Sequence, residues 1–99
     1  MLEKDIVTAI MRYLKTVPQC FSWKTHGGMY GTSGIPDLIC CYRGRFVAFE
    51  VKRENGILTK LQESTLQRIN DAQGYAYKVT TLQEVKEILQ NLDFTEANP

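Results

Sequence analysis

The sequence predicts an α/β domain with a mixed sheet flanked by helices, in the order α-β-β-β-α-β-α, and three observations carry that expectation. Stretches with apolar residues at helical spacing alternate with runs rich in β-formers. Arg43-Gly44 sits between two such runs, where a hairpin turn belongs. Thr59 and Thr81 each stand three residues before a Gln or Glu, the capping-box pattern that opens a helix.

The elements follow in order. From Leu2 to about Lys15, residues Leu2, Ile6, Ile10 and Tyr13 recur at helical spacing with Val7 and Leu14 beside them, and Pro18 stops this helix. Cys20 to Thr25 reads as a short strand in which Phe21 and Trp23 alternate with Ser22 and Lys24, so both rings are expected in the core rather than free to stack on bases. His26 to Gly34 holds four glycines and reads as the one long loop. Asp37 to Tyr42 and Phe46 to Lys52 form the hairpin. The helix opened by Thr59 runs through Leu61, Leu66 and Ile69 and ends before Gly74, Tyr75 to Thr80 is a fourth strand, and the helix after Thr81 uses Val85, Ile88, Leu89 and Leu92. The domain is expected over residues 1–92, with 93–99 a disordered tail.

Ninety-nine residues at 43% hydrophobic composition suffice for one core and leave no room for a second domain. No apolar run nears the roughly 20 residues that span a bilayer, so a cytoplasmic protein with no membrane partner is expected. Cys20, Cys40 and Cys41 lack the spacing of a zinc site or a disulfide framework and read as reduced thiols. Twelve basic against eleven acidic side chains give +1, which argues against gripping nucleic acid by bulk charge. That balance is uneven: residues 1–60 hold nine basic and five acidic side chains (+4), residues 61–99 three and six (−3).

If the hairpin turns at Arg43-Gly44, Tyr42 faces Arg45, Cys40 faces Val47 and Asp37 faces Glu50; a three-residue loop would shift this by one. Opposed carboxylates destabilise a ladder unless something compensates them. Lys52 projects from the same face, two residues after Glu50. The set suits a hard divalent cation held by carboxylates and water, with a lysine to orient or activate the water that attacks a phosphate. The bland alternative is an exposed Asp at a strand start beside an ordinary Glu50 to Lys52 surface pair.

Gly34-Ile35-Pro36-Asp37, Glu50-Val51-Lys52, Gly56-Ile57-Leu58-Thr59 and Gln62 resemble the signature of the VRR-NUC (virus-type replication-repair nuclease) family within the PD-(D/E)-x-K nucleases. The resemblance runs from Glu3 to about Val79. It implies a restriction-endonuclease-like αβββαβ core and an endodeoxyribonuclease dependent on Mg²⁺, for which Mn²⁺ substitutes, that leaves 5′-phosphate and 3′-hydroxyl ends. Asp37 and Glu50 match the metal-binding acids, the Val51 carbonyl would be a further oxygen ligand, and Lys52 matches the catalytic lysine. Glu3 matches the acid on the first helix that completes or orders the metal site; its other reading is a first-turn acid favoured by the helix dipole. Gln62 matches a polar residue that points to the active site, or else only closes the box on Thr59. Short stand-alone members, typical of phages and bacteria, look like homodimeric Holliday-junction resolvases, so branched DNA is the expected partner. A flap, fork or restriction-type nuclease would use the same residues, and a non-catalytic DNA-binding module is the competing class.

Lys24, Arg43, Arg45, Arg53 and Lys60 surround the proposed site in sequence and are candidate phosphate contacts. His26 and Tyr30, in the glycine-rich loop, are candidate DNA contacts as well. That loop lacks the Gly-Lys-Ser/Thr of a Walker A motif, so no nucleotide cofactor is expected.

Overall fold

The computed structural model of the chain describes residues 1–25 and 33–97. The elements appear in the expected order: α1 (Glu3–Leu14), β1 (Cys20–Lys24), β2 (Leu38–Tyr42), β3 (Arg45–Val51), α2 (Lys60–Asp71), β4 (Tyr75–Val79) and α3 (Leu82–Ala97). The strands lie in the order β1-β2-β3-β4, antiparallel from β1 to β3 and parallel between β3 and β4, so the sheet is mixed.

Helices cover both faces. On one side α1 (Ile6, Val7, Ile10, Leu14) and α3 (Val85, Leu89, Leu92) pack on Leu38, Cys40, Val47, Phe49, Val51 and Val79. On the other side α2 packs through Leu66 and Ile69 on Ile39, Ala48 and Ala76, where small strand residues let the helix approach closely. β3 is central and buried on both faces from Val47 to Val51, which explains its run of apolar residues interrupted only by Glu50. Among the described residues no helix is long and apolar enough to cross a membrane, and Cys20, Cys40 and Cys41 are all free thiols.

The hairpin has the register of a two-residue turn: Tyr42 faces Arg45, Cys40 faces Val47 and Leu38 faces Phe49. Arg43 (φ 51°) and Gly44 (φ 84°) both occupy the left-handed region, as a type I′ turn demands. An arginine is an unfavourable choice there, and tertiary contacts hold it. Its guanidinium lies 3.2 Å from the Asp93 carboxylate and over the Tyr42 ring.

The same contacts correct the expected tail, because the last helix continues past Leu92 to Ala97. Asp93 accepts a 2.6 Å hydrogen bond from the Tyr42 hydroxyl, and the Arg45 guanidinium donates to the Leu92 carbonyl at 2.7 Å. Cations and a donor hydroxyl thus meet this helix in its C-terminal half, where its dipole favours positive charge. A second correction concerns β1. Phe21 is 72% and Trp23 40% exposed, so neither ring is core. The period-two reading was right but assigned the wrong face: Ser22 pairs with buried Cys40 on the α1 side, while Trp23 pairs with Ile39 on the α2 side. α2 does not reach over this edge strand, and the two rings rest on each other with centroids 5.7 Å apart.

Candidate active site

The segment leading into β2 is fixed from three directions. Gly34 has φ 81° and lies so close to α2 that an added Cβ would come within 2.7 Å of the Leu61 side chain, so glycine is required twice over. Ile35 packs into the α2 core and Pro36 is fully buried. From β1, Thr25 donates its N–H to the Asp37 carbonyl at 2.9 Å and its hydroxyl to the Pro36 carbonyl. Asp37 therefore emerges at a defined point, on the α2 side of the sheet.

Its Oδ2 accepts the N–H of Val51 at 2.9 Å, which ties the start of β2 to the end of β3. Glu50 alternates with core residues Phe49 and Val51 and so faces α2; it is only 4% exposed. Lys52 follows β3, its backbone N–H held by the Val79 carbonyl, and its ammonium stands 4.0 Å from Glu50 Oε2. Gln62 comes from α2 and serves both sequence readings at once. Its Oε1 accepts from the Thr59 N–H at 2.9 Å, closing the capping box, while its Nε2 donates to Glu50 Oε2 at 3.2 Å.

Asp37, Glu50, Lys52 and Gln62 are thus brought together from three separate segments: the entry to β2, the end of β3 and the start of α2. Burial first, and then the negative charge of Asp37, push the Glu50 carboxyl up to about 8, against a smaller opposing pull from Lys52. A lysine 4.0 Å away does not neutralise two carboxylates in so dry a place. The donor set, two acid side chains beside the Val51 backbone, has the chemistry of a Mg²⁺ or Mn²⁺ site, whose remaining positions would be filled by water and a phosphate. Glu3 does not join this set: it is exposed at the start of α1, and among the described residues no three His, Cys, Asp or Glu side chains cluster closely enough to share an ion. Its charge reaches Glu50 as the weakest of the influences on that carboxyl.

A solved structure named VRR_NUC domain matches 89% of this chain and 94% of its own length with a TM-score of 0.74 and 21% sequence identity. The chain has the VRR_NUC fold. A second solved structure, named VRR_NUC domain protein, matches 91% of this chain and 86% of its own at a TM-score of 0.73 and 18% identity. No protein-family model and no curated protein matches the sequence. The likeness to the VRR_NUC structures therefore rests on architecture.

On the VRR_NUC fold of this chain, the basic residues expected around the site separate into groups. Lys24 ends β1 opposite Leu38, whose side chain packs toward α1, and so lies on the other face of the sheet, whereas Lys60 opens α2 two residues before Gln62 and flanks the site. Arg43 and Arg45 do not. They lie at the turn end of the hairpin, Arg45 about 23 Å from Lys52 along seven residues of extended chain and Arg43 beyond it, and are engaged with α3 through Asp93 and the Leu92 carbonyl. Closeness in sequence misplaced them because a hairpin carries its turn and its open end to opposite edges of a sheet. Arg53 lines a separate cavity with Ile6, Ala9, Asn55 and Leu82. His26 and Tyr30 lie outside the described residues. Thr25 was not singled out from sequence; its partners are 11 and 12 residues away and leave no local pattern.

Proposed function

We propose that this chain is a VRR-NUC family nuclease that hydrolyses phosphodiester bonds in branched DNA with the help of Mg²⁺ or Mn²⁺, acting in the cytoplasm of a bacterial or phage-infected cell. The observation that carries the reading is the convergence of Asp37, Glu50, Lys52 and Gln62 on one face of a VRR_NUC fold. A structural ion pair would account for Glu50 and Lys52 alone. It would not account for a second carboxylate at the same point or for a glutamine reaching from α2.

Asp37, Glu50 and the Val51 carbonyl would hold the divalent ion, which when bound supplies Lewis-acid polarisation of the phosphate and a more acidic water. The chain's own groups do the rest. Gln62 and the Val51 N–H hold the two carboxylates in place, which spares reorganisation during reaction. Lys52 orients the attacking water and offsets the negative charge that grows on the phosphate in the transition state. Two small subunits related by a two-fold axis would present two such sites to strands of like polarity, so a homodimer acting on a four-way junction is the form proposed.

The test is cleavage of a labelled four-way junction, set beside fork, flap and linear duplex, in Mg²⁺, Mn²⁺ and EDTA. Wild type should give paired nicks bearing 5′-phosphate, and Lys52→Ala and Asp37→Asn should give none. Cutting that survives EDTA, or that both variants retain, refutes the metallonuclease reading; equal cutting of linear duplex refutes branch selectivity.

A further inference from the structure

The geometry points to a second DNA-contacting surface, a basic groove between α1 and β1 that grips the phosphate backbone on the face of the sheet opposite the candidate site. Val7, Thr8, Met11, Arg12, Lys15 and Lys24 line a cavity of about 340 Å³ there. Helical spacing puts Thr8, Met11, Arg12 and Lys15 on one side of α1. Strand alternation turns Lys24 the same way as Ser22, toward α1. The floor is apolar, with Val7 buried and Met11 half-buried, and the rim is three exposed cations.

The charge arrangement identifies the occupant. No acid lines the groove, and among the described residues no carboxylate pairs with Arg12, Lys15 or Lys24. Among the described residues Arg43 pairs with Asp93 and Lys52 with Glu50. With a formal charge of only +1 overall, three uncompensated cations around one groove are a local concentration rather than a general excess. Arg12 and Lys15 are near neighbours on the helix and repel one another, a cost that a bound polyanion removes. An apolar floor rimmed by cations matches deoxyribose and phosphate, respectively. The groove also connects to the site: Lys24 pairs with Leu38 and is followed by Thr25, which holds the carbonyls of Pro36 and Asp37. The last cation of the groove thus stands across the ladder from the residue that follows Asp37. Assignment of the polyanion as DNA rests on the nuclease reading.

The test measures binding without cleavage. Fluorescence anisotropy of labelled duplex and four-way junction, in EDTA over a salt series, compares wild type, Arg12→Gln/Lys15→Gln with and without Lys24→Gln, and an Arg68→Ala/Lys86→Ala control on α2 and α3. Melting temperatures verify that each variant is folded. The groove variants should bind at least tenfold more weakly at low salt, and the slope of log K against log salt should fall by about 0.9 for each phosphate contact removed. The control should stay near wild type. Groove variants that keep wild-type affinity and slope overturn the inference while leaving the nuclease reading intact, as does a wild type that cuts but binds without salt dependence. A wild type that binds with the expected slope but fails to cut in either Mg²⁺ or Mn²⁺ overturns the nuclease reading and leaves the groove standing.

Discussion

Asp37 Oδ2 receives the backbone N–H of Val51, so a carboxylate proposed to hold an ion also finishes a ladder that the backbone has abandoned. The ladder between β2 and β3 ends at the Leu38 and Phe49 pair, and beyond it the Pro36 carbonyl accepts from the Thr25 hydroxyl. Asp37→Ala leaves the Val51 N–H of a fully buried residue without this acceptor, whereas Asp37→Asn keeps an oxygen there. At pH 5 the alanine variant should unfold about 1–3 kcal/mol more easily than the asparagine variant in urea titrations, the cost of an unmet buried donor. Equal stabilities would mean that the bond is dispensable. Both variants should lose metal-stimulated cleavage, since both lose the charge.

The Glu50 carboxyl fixes how stability should depend on pH. Its pKa is raised from 4.5 to about 8 on folding, so the folded chain holds a proton that the unfolded chain has released across that interval. Stability from this group is complete below about 4.5 and is lost as pH rises through about 8, at no more than about 1.4 kcal/mol per pH unit. Saturating Mg²⁺ should reverse much of that loss and raise the melting temperature more at pH 8 than at pH 5. A melting temperature that climbs across this range without metal would contradict the burial of an uncompensated carboxyl. Asp37→Asn should flatten the decline only in part, because burial outweighs the Asp37 charge as a cause.

The order of elements, the register of the hairpin and the quartet of site residues were legible because local signals specify them. A positive-φ turn at Arg43-Gly44 sets the register, alternation then puts Asp37, Glu50 and Lys52 on one face, and Thr59 with Gln62 announces the start of α2. What was misread depends on packing. Phe21 and Trp23 have the composition of core residues, and only the reach of α2 decides that they are not. Arg43 and Arg45 look like site residues until Asp93 and Leu92 arrive from the last helix, some fifty positions away. The clamp by Thr25 is likewise a contact across the sheet, with no motif of its own.

Gln62 uses one amide for two tasks, and substitutions can separate them. Thr59→Ala removes the hydroxyl that caps the Gln62 N–H and leaves the Glu50 contact in place. Gln62→Ala removes the side-chain half of the box and that contact, while the backbone N–H at position 62 still meets the Thr59 hydroxyl. Thr59→Ala should cost about 0.5–2 kcal/mol as a lost helix cap, and Gln62→Ala about 0.5–1.5 kcal/mol as a lost hydrogen bond. Only Gln62→Ala should slow cleavage, by about 10- to 100-fold, as when a group that orients a metal ligand is removed. Single-turnover rates with saturating DNA decide it: equal rates for the two variants would reduce Gln62 to a capping residue.

Phe21 and Phe49 test the account of which sheet faces are covered. Phe49 is fully buried between α1, α3 and the sheet and lies against Tyr77, with ring centroids 6.1 Å apart. Replacing it with alanine should cost about 3–5 kcal/mol, the transfer of a large ring plus the cavity left behind. Phe21 sits on an edge strand at 72% exposure, and its alanine variant should fall within about 0.5 kcal/mol of wild type. Trp23 is the only tryptophan and reports the same surface directly. At 40% exposure its emission in the folded protein should be quenched readily by acrylamide. If Phe21→Ala destabilises as much as Phe49→Ala, or if Trp23 is shielded at micromolar concentration, the outer face of β1 is covered in solution. Repeating the quenching across a dilution series separates the two ways that could arise, because cover supplied by a second copy is lost on dilution and cover from within the chain is not.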